Sequence, residues 1–238
     1  MNKSKLERFI QKYSLGGAVD SVKWVVKNNT LMTSFIDTGR TLLGTVVVDK
    51  FNFQDAVLGV YSTSQLMRLL NVVGDNVELD LVSVNGQAVS LRINDVTASA
   101  NFMLADLSVI QDPPSMKNLP VFDTEIKIDS KFIETFIKGK NALADVDTFT
   151  VLKNGEVKIV IGHSNTNSNK VTIPVESNDP LMLDEQSFDA NIFKEILSAN
   201  KECLQATLRI SDKGLAHVKF HVDDYQTEYY LTGLQSTV

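Results

Sequence analysis

The sequence predicts an α+β chain of two similar domains, each built from two βαβββ units, with helices on one side and antiparallel sheets on the other. Three observations lead there. An amphipathic helical pattern occurs four times, starting at residues 3, 63, 129 and 189, so the steps are 60, 66 and 60 residues. Each copy is followed at a similar interval by a turn signal: Asn28-Asn29, Asn85-Gly86, Asn154-Gly155 or Asp212-Lys213-Gly214. Between these landmarks apolar residues alternate with a period of two, the pattern of half-buried strands.

The third copy, from Asp129 to Gly162, is the clearest. Phe132, Ile133, Phe136 and Ile137 form one helical stripe, with Lys131, Glu134, Thr135 and Lys138 opposite. Asp129 and Ser130 are suited to cap the first turn, because a short side-chain oxygen can accept from an unpaired backbone N–H. Gly139 is expected to mark where the helix frays. Beyond it Val157, Ile159 and Ile161 alternate with Glu156, Lys158 and Val160, and Asn154-Gly155 suits a two-residue hairpin turn. The fourth copy repeats the stripe with Ile192, Phe193, Ile196 and Leu197. Leu66, Met67 and Leu70 carry it in the second copy, and Leu6, Phe9, Ile10 and Tyr13 in the first.

In chain order, a helix over 3–13 leads to strands over 19–26, 31–36 and 41–48. A strand over 51–61 then feeds a helix over 62–73, followed by strands over 77–84, 89–93 and 96–104. The second half repeats the plan: strand 122–128, helix 130–141, strands 146–152, 157–161 and 171–175, strand 181–188, helix 189–201, and strands 204–210, 215–222 and 225–231. Only the first unit lacks its leading strand. Between the halves, DLSVIQDPPSMKNLP breaks both periodicities, and Pro113-Pro114 fits neither a helix interior nor a central strand. The expected division is one domain over 1–107, a linker over 108–120 and a second domain over 121–238.

Composition excludes several classes. A chain of 238 residues with 43% hydrophobic content can bury two ordinary cores. Cys203 stands alone, so no internal disulfide is possible. The start, MNKSKLERFIQKYS, lacks the apolar core of a signal peptide, and no apolar run approaches the roughly 20 residues of a membrane span. A soluble cytoplasmic protein without membrane contact is expected. Catalysis has little to stand on. His163 sits in the loop HSNTNSN, while His217 and His221 share a strand face about 13 Å apart, too far to share a metal. Both are expected to face solvent. Asp223-Asp224 reads as a hairpin turn, and no glycine loop of the phosphate-cradling kind occurs. No catalytic residue, metal or cofactor is expected, and the chain is not expected to be an enzyme.

Charge is unevenly spread. The four helices hold Lys3, Lys5, Arg8, Lys12, Arg68, Lys131, Lys138, Lys140, Lys194 and Lys201, but only Glu7, Glu134, Asp189 and Glu195 among acids. Ten bases against four acids leave the helices at +6; with the whole chain at −6, the rest carries −12. The overall charge taken alone argues against nucleic acid, whereas the distribution supplies a basic footprint on the helices. Helices this short need a tertiary surface, so their bases are expected to project away from the sheet.

Four βαβββ units with basic helices and acidic sheets resemble the sliding DNA clamps of the proliferating cell nuclear antigen type. Closer still is the likeness to the clamps of T-even-type phages, which also open directly on a lysine-containing helix and carry segments similar to DTEIKIDSKFIETFIKGKNAL and NGEVKIVI. The resemblance covers nearly the whole chain. It implies a head-to-tail homotrimeric ring with the helices on the inner face, the ten helix bases near the phosphates of an encircled duplex, and an acidic exterior that repels other DNA. Twelve helices about 10 Å apart would leave an opening of about 28 Å, against about 15 Å for eight, so three copies suit a duplex better than two. It also implies a clamp-loader ATPase and a DNA polymerase docked through a terminal peptide in an apolar pocket beside the linker. Candidate partner-binding residues are Leu107, Val109, Ile110, Met116 and Leu119 in the linker region, and Tyr229, Tyr230 and Leu231 near the tail. A β-rich phage or scaffold oligomer without DNA-sliding activity, and a monomeric DNA-binding processivity factor, fit the same repeats.

Overall fold

A computed structural model describes residues 1–154, 156–164, 166, 168–177 and 185–234. Among the described residues the order is α1 (Lys3–Ser14), β1 (Val22–Lys27), β2 (Thr30–Ile36), β3 (Leu42–Val48), β4 (Ala56–Val60), α2 (Thr63–Leu70), β5 (Glu78–Val84), β6 (Gln87–Asn94) and β7 (Ser99–Met103). It continues with β8 (Thr124–Asp129), α3 (Ser130–Ala142), β9 (Thr148–Asn154), β10 (Glu156–Ile161), β11 (Val171–Pro174), β12 (Glu185–Asp189), α4 (Ala190–Ala199), β13 (Gln205–Ser211), β14 (Leu215–Val222) and β15 (Tyr225–Thr232). Every helix precedes three strands, and all but α1 follow one. Gly155 of the expected Asn154-Gly155 turn and the expected strand start at 181–184 lie outside the described residues. No helix is long and apolar enough to cross a membrane among the described residues.

The chain forms two compact units. One takes Met1–Thr38, Gly44–Pro114 and Asp223–Thr227; the other takes Gly39–Leu43, Ser115–Val222 and Glu228–Val238, so far as these are described.

In the first unit β4-β1-β2-β3 lie side by side in that order, and β5-β6-β7 form a separate three-stranded sheet. The alternation in VKWVVK buries Val22, Trp24 and Val26, and Trp24 stands opposite Leu58 of β4. Leu6, Phe9, Ile10 and Tyr13 of α1 are buried as the stripe requires, and the Phe9 ring meets Trp24 edge-on at 5.5 Å. The Trp24 indole N–H donates to Tyr13 Oη at 3.3 Å, and Tyr13 Oη shares a 3.0 Å hydrogen bond with Thr63 Oγ1 of α2. One polar corner therefore ties α1, β1 and α2 together while leaving those buried polar atoms satisfied. Burial pushes the Tyr13 phenol well above its ordinary pKa, so it stays neutral. The two Asn-containing hairpin turns in this unit have positive φ at their central residues, Asn28 at 50° with Asn29 at 59°, and Asn85 at 51° with Gly86 at 80°. That is the two-residue geometry that the Asn-rich signals predict.

In the second unit the sheet orders are β15-β14-β13-β8 and β11-β10-β9-β12. Phe149 of β9 pairs across with Phe188 of β12, stacks on Phe193 of α4 at 4.8 Å, and meets Phe136 of α3 edge-on at 5.3 Å. The repeated helix thus packs its aromatic stripe on its own sheet and against the other helix. Asp129 and Asp189 cap the two helices identically, each accepting at 2.8 Å from the N–H three residues on. Ser130 is already the first helical residue, so the cap belongs to Asp129 alone. Nor does α3 fray at Gly139: it runs to Ala142, and the glycine is buried against β10 and β11. A Cβ there would stand 3.0 Å from Val171 Cγ1 and 3.2 Å from Ile161 Cδ1, so close approach, not helix ending, is what the glycine serves.

Candidate nucleic-acid interface

α1 packs on α2 in the first unit, and α3 on α4 in the second. They carry nine of the ten expected helix bases, Lys201 falling just beyond the end of α4, and the ten fall into three environments.

Lys12 and Lys140 are buried, at 1% and 3% exposure, and do not project away from the sheet as expected. The Lys140 ammonium donates to the carbonyls of Leu143 (3.3 Å) and Ala144 (2.9 Å), just beyond the end of α3. A cation there offsets the partial negative charge of a helix C-terminus, and its methylene stem packs as an apolar chain would. Lys12 points its ammonium at the Tyr225 ring, 5.4 Å from the centroid. Position opposite the apolar stripe does not by itself expose a lysine near a helix end.

Five bases are held by other groups. Lys3 donates to the Val73 carbonyl at 2.9 Å and lies 3.7 Å from Glu7, Lys138 pairs with Glu134 one turn back, and Lys194 pairs with Glu195 at 2.9 Å. Lys138 keeps its exposure, and draws the Glu134 carboxyl below its ordinary pKa. Lys5 uses three donors at once, on the carbonyls of Asp49 (2.8 Å) and Lys50 (2.9 Å) and on the Asp224 carboxylate (3.3 Å). Arg8 pairs with Asp223 at 2.9 Å and lies 4.6 Å from the Tyr225 ring centroid. The Asp223-Asp224 turn does serve turn geometry, with φ 53° at Asp223, but it also faces α1 with two carboxylates. That second role was hidden by more than 200 residues of intervening chain.

Arg68, Lys131 and Lys201 make up the third group. All three are exposed and have no ion pair among the described residues. Lys131 stands on the rim of a cleft of about 390 Å³ that also takes in Asp129, Phe132 and Pro174.

The candidate partner-binding residues divide as sharply. Leu107, Val109, Met116 and Leu119 are exposed, Val109 by 62%. Ile110 is buried, and so are Tyr229 and Leu231, because the alternation along β15 turns them inward; Asn200 donates to Tyr229 Oη at 3.1 Å. These three are packed in the core and do not line a surface. Lys23 grips both oxygens of Asp112 at 2.8 and 2.7 Å, which fastens the start of the linker segment within the first unit. A cleft of about 670 Å³ in that unit has Leu107 on its wall with Val57, Met103 and Leu104.

His217, expected to face solvent, is buried at 6% exposure. Its ring stacks on Tyr230 at 4.6 Å, lies 5.4 Å from Phe122, and shares a 2.8 Å hydrogen bond with Glu228. His221 is exposed, as expected. Nδ1 of His217 finds no hydrogen-bond partner among the described residues, and burial lowers the pKa of the imidazole despite Glu228. Among the described residues no three His, Cys, Asp or Glu side chains gather as a metal site.

No family model matches the chain, and no curated protein matches it in sequence. Solved structures do match in shape. Proliferating Cellular Nuclear Antigen from Entamoeba histolytica superposes with a TM-score of 0.74 at 14% identity, over 98% of this chain and 96% of that one. A chain of the PCNA2-PCNA3 complex from Sulfolobus tokodaii gives a TM-score of 0.71 at 14% identity, over 98% and 97%. Coverage of both chains is nearly complete, so the α+β arrangement of paired βαβββ units is the PCNA-like clamp fold.

Proposed function

We propose that copies of this chain join head to tail into a ring that encircles duplex DNA and tethers the replicative DNA polymerase for processive synthesis. The observation that carries this reading is the fourfold helix and three-strand repeat, with base-bearing helices paired in each unit of a clamp fold. Encirclement needs only a weak, sequence-blind attraction to phosphates. Three exposed bases without an ion pair among the described residues, and a set of partly neutralised ones, suit that better than a dense basic patch would. In the same reading residues 108–120 connect clamp domains over 1–107 and 121–238.

Three copies make the ring. Each sheet that is confined to one unit has two end strands among the described residues, β5 and β7 in the first and β11 and β12 in the second. Two different end strands on one chain are what head-to-tail closure requires, because a heterologous contact uses two unlike surfaces. A clamp-loader ATPase opens the ring, and the polymerase docks on the exposed linker residues Leu107, Val109, Met116 and Leu119, with Tyr230 half-buried nearby in sequence to the tail. The segments DTEIKIDSKFIETFIKGKNAL and NGEVKIVI support an origin in a T-even-type phage and a place in the cytoplasm of its bacterial host.

The test is topological. With loader and ATP present, the protein should stay on closed circular DNA and leave once the circle is cut, and its mass in solution should reach three protomers on concentration. A trimer that never shows this dependence on closure would be a scaffold, and a persistent monomer would remove the ring.

A further inference from the structure

The turn between β14 and β15 places two carboxylates on the cations of α1. Asp223 takes Arg8 at 2.9 Å; Asp224 takes Lys5 at 3.3 Å on one oxygen and Lys50 at 2.8 Å on the other. All five residues belong to the first unit. Three cations therefore share two carboxylates, and the Lys50 and Lys5 ammonium groups hold the Asp224 carboxyl below its ordinary pKa, so it is charged throughout the neutral range. From this we infer that Asp223 and Asp224 set the strength of the chain's hold on DNA by occupying α1 cations that would otherwise bind phosphate.

The inference rests on the DNA-encircling reading and adds to it an internal competitor. Surface ion pairs of this kind are weak and screened by salt, so a phosphate can displace an aspartate; yet each displacement returns an unpaired carboxylate to the same neighbourhood. Lys5 is the most committed of the three, since two backbone carbonyls hold it as well. Lys50, whose side chain is 80% exposed, is the cation most readily transferred. The attraction that remains in full is then carried by Arg68, Lys131 and Lys201 on the other three helices or just beyond them. Such a division keeps a sliding ring loosely held where a continuous basic lining would pin it.

The experiment uses the full chain carrying Asp223→Asn with Asp224→Asn. Asparagine tolerates positive φ as well as aspartate does, so the turn at Asp223 persists. Asp224 also keeps its backbone bond, in which its carbonyl accepts from the Asp49 N–H at 2.9 Å. With loader and ATP present, binding to a fluorescein-labelled closed circular duplex is followed by anisotropy across a salt series, beside the unaltered protein and a charge-matched control, Glu78→Gln with Glu156→Gln, which removes two exposed acids elsewhere. The aspartate variant should bind several-fold more tightly at low salt. Its plot of log affinity against log salt should steepen by up to about two, near 0.9 for each phosphate newly contacted. If the unaltered protein binds and the variant matches it, or the control steepens equally, the competition is overturned and the clamp reading stands. If none of the three proteins binds, the DNA reading itself falls and takes the inference with it.

Discussion

Phe136 of α3 and Phe193 of α4 meet edge to face, ring centroids 5.0 Å apart and planes at 89°. Both also touch Phe149 of β9, so two copies of the repeated helix share one aromatic centre above their sheet. Phe193→Ala removes a fully buried ring from that centre and should cost about 3–5 kcal/mol of unfolding free energy. Leu204→Ala, at a position 81% exposed, should stay within about 0.5 kcal/mol. Urea unfolding of both variants measures the contrast; equal losses would mean that the aromatic centre is not what holds the helix pair.

Gly139 is a second place where the helix and its sheet define each other. A methyl group there gains helix propensity of up to about 1 kcal/mol but presses on Val171 and Ile161. Both neighbours are packed strand side chains, so Gly139→Ala should destabilise by about 1–3 kcal/mol. Val171→Ala opens the space, so the double variant should be more stable than the two single losses added together, with a coupling of at least about 0.5 kcal/mol. Simple additivity in denaturant unfolding would show that Val171 yields freely and that the contact sets nothing.

His217 makes acid stability measurable. Its folded pKa lies below the ordinary value of 6.5 because burial disfavours the imidazolium, with Lys219 and Arg209 adding to the effect and Glu228 opposing it. As pH falls through 6.5 the unfolded chain takes up a proton that the folded chain refuses. Stability fully present above 6.5 is therefore lost progressively down to the lower folded pKa and levels off beneath it. Glu228 does not confuse this window, since its own pKa lies below 4.5; hydrogen bonds from Tyr230, His217 and Lys219 outweigh burial there. His217→Gln should flatten the fall in urea midpoint between pH 7 and 5. An unchanged slope in that variant would assign the acid sensitivity elsewhere.

Much of this was legible in the residues, and the misses share a cause. Helix starts and strand order follow from local periodicity and from Asp129, Asp189 and the Asn-containing turns, all of which act within a few positions. The environments of Lys5 and Arg8 depend on partners that the chain brings back from far away, Asp223 and Asp224, and that of His217 on distant Phe122 as well as on Glu228 in the next strand. A period of two says that Tyr229 and His217 alternate with their neighbours, but not which parity the core selects. Lys12 and Lys140 depart from the amphipathic pattern because a long side chain near a helix end can fold its stem over apolar surface and still satisfy its ammonium.

The exposed bases carry the last prediction, which follows from the proposed encirclement of DNA. Arg68, Lys131 and Lys201 have no ion pair to break among the described residues, so replacing all three with alanine changes charge at the surface and little else. Each lost phosphate contact lowers the slope of log affinity against log salt by about 0.9, so the triple variant should lose up to about three from that slope per protomer. Its thermal midpoint and oligomeric mass should stay put. Lys140→Ala should do the opposite, lowering the thermal midpoint by removing the ammonium that caps the end of α3, while sparing the salt slope. Retention on closed circular DNA and salt-titrated binding, measured side by side with melting curves, separate the two behaviours. Undiminished retention by the triple variant would place the DNA-facing charge on other residues.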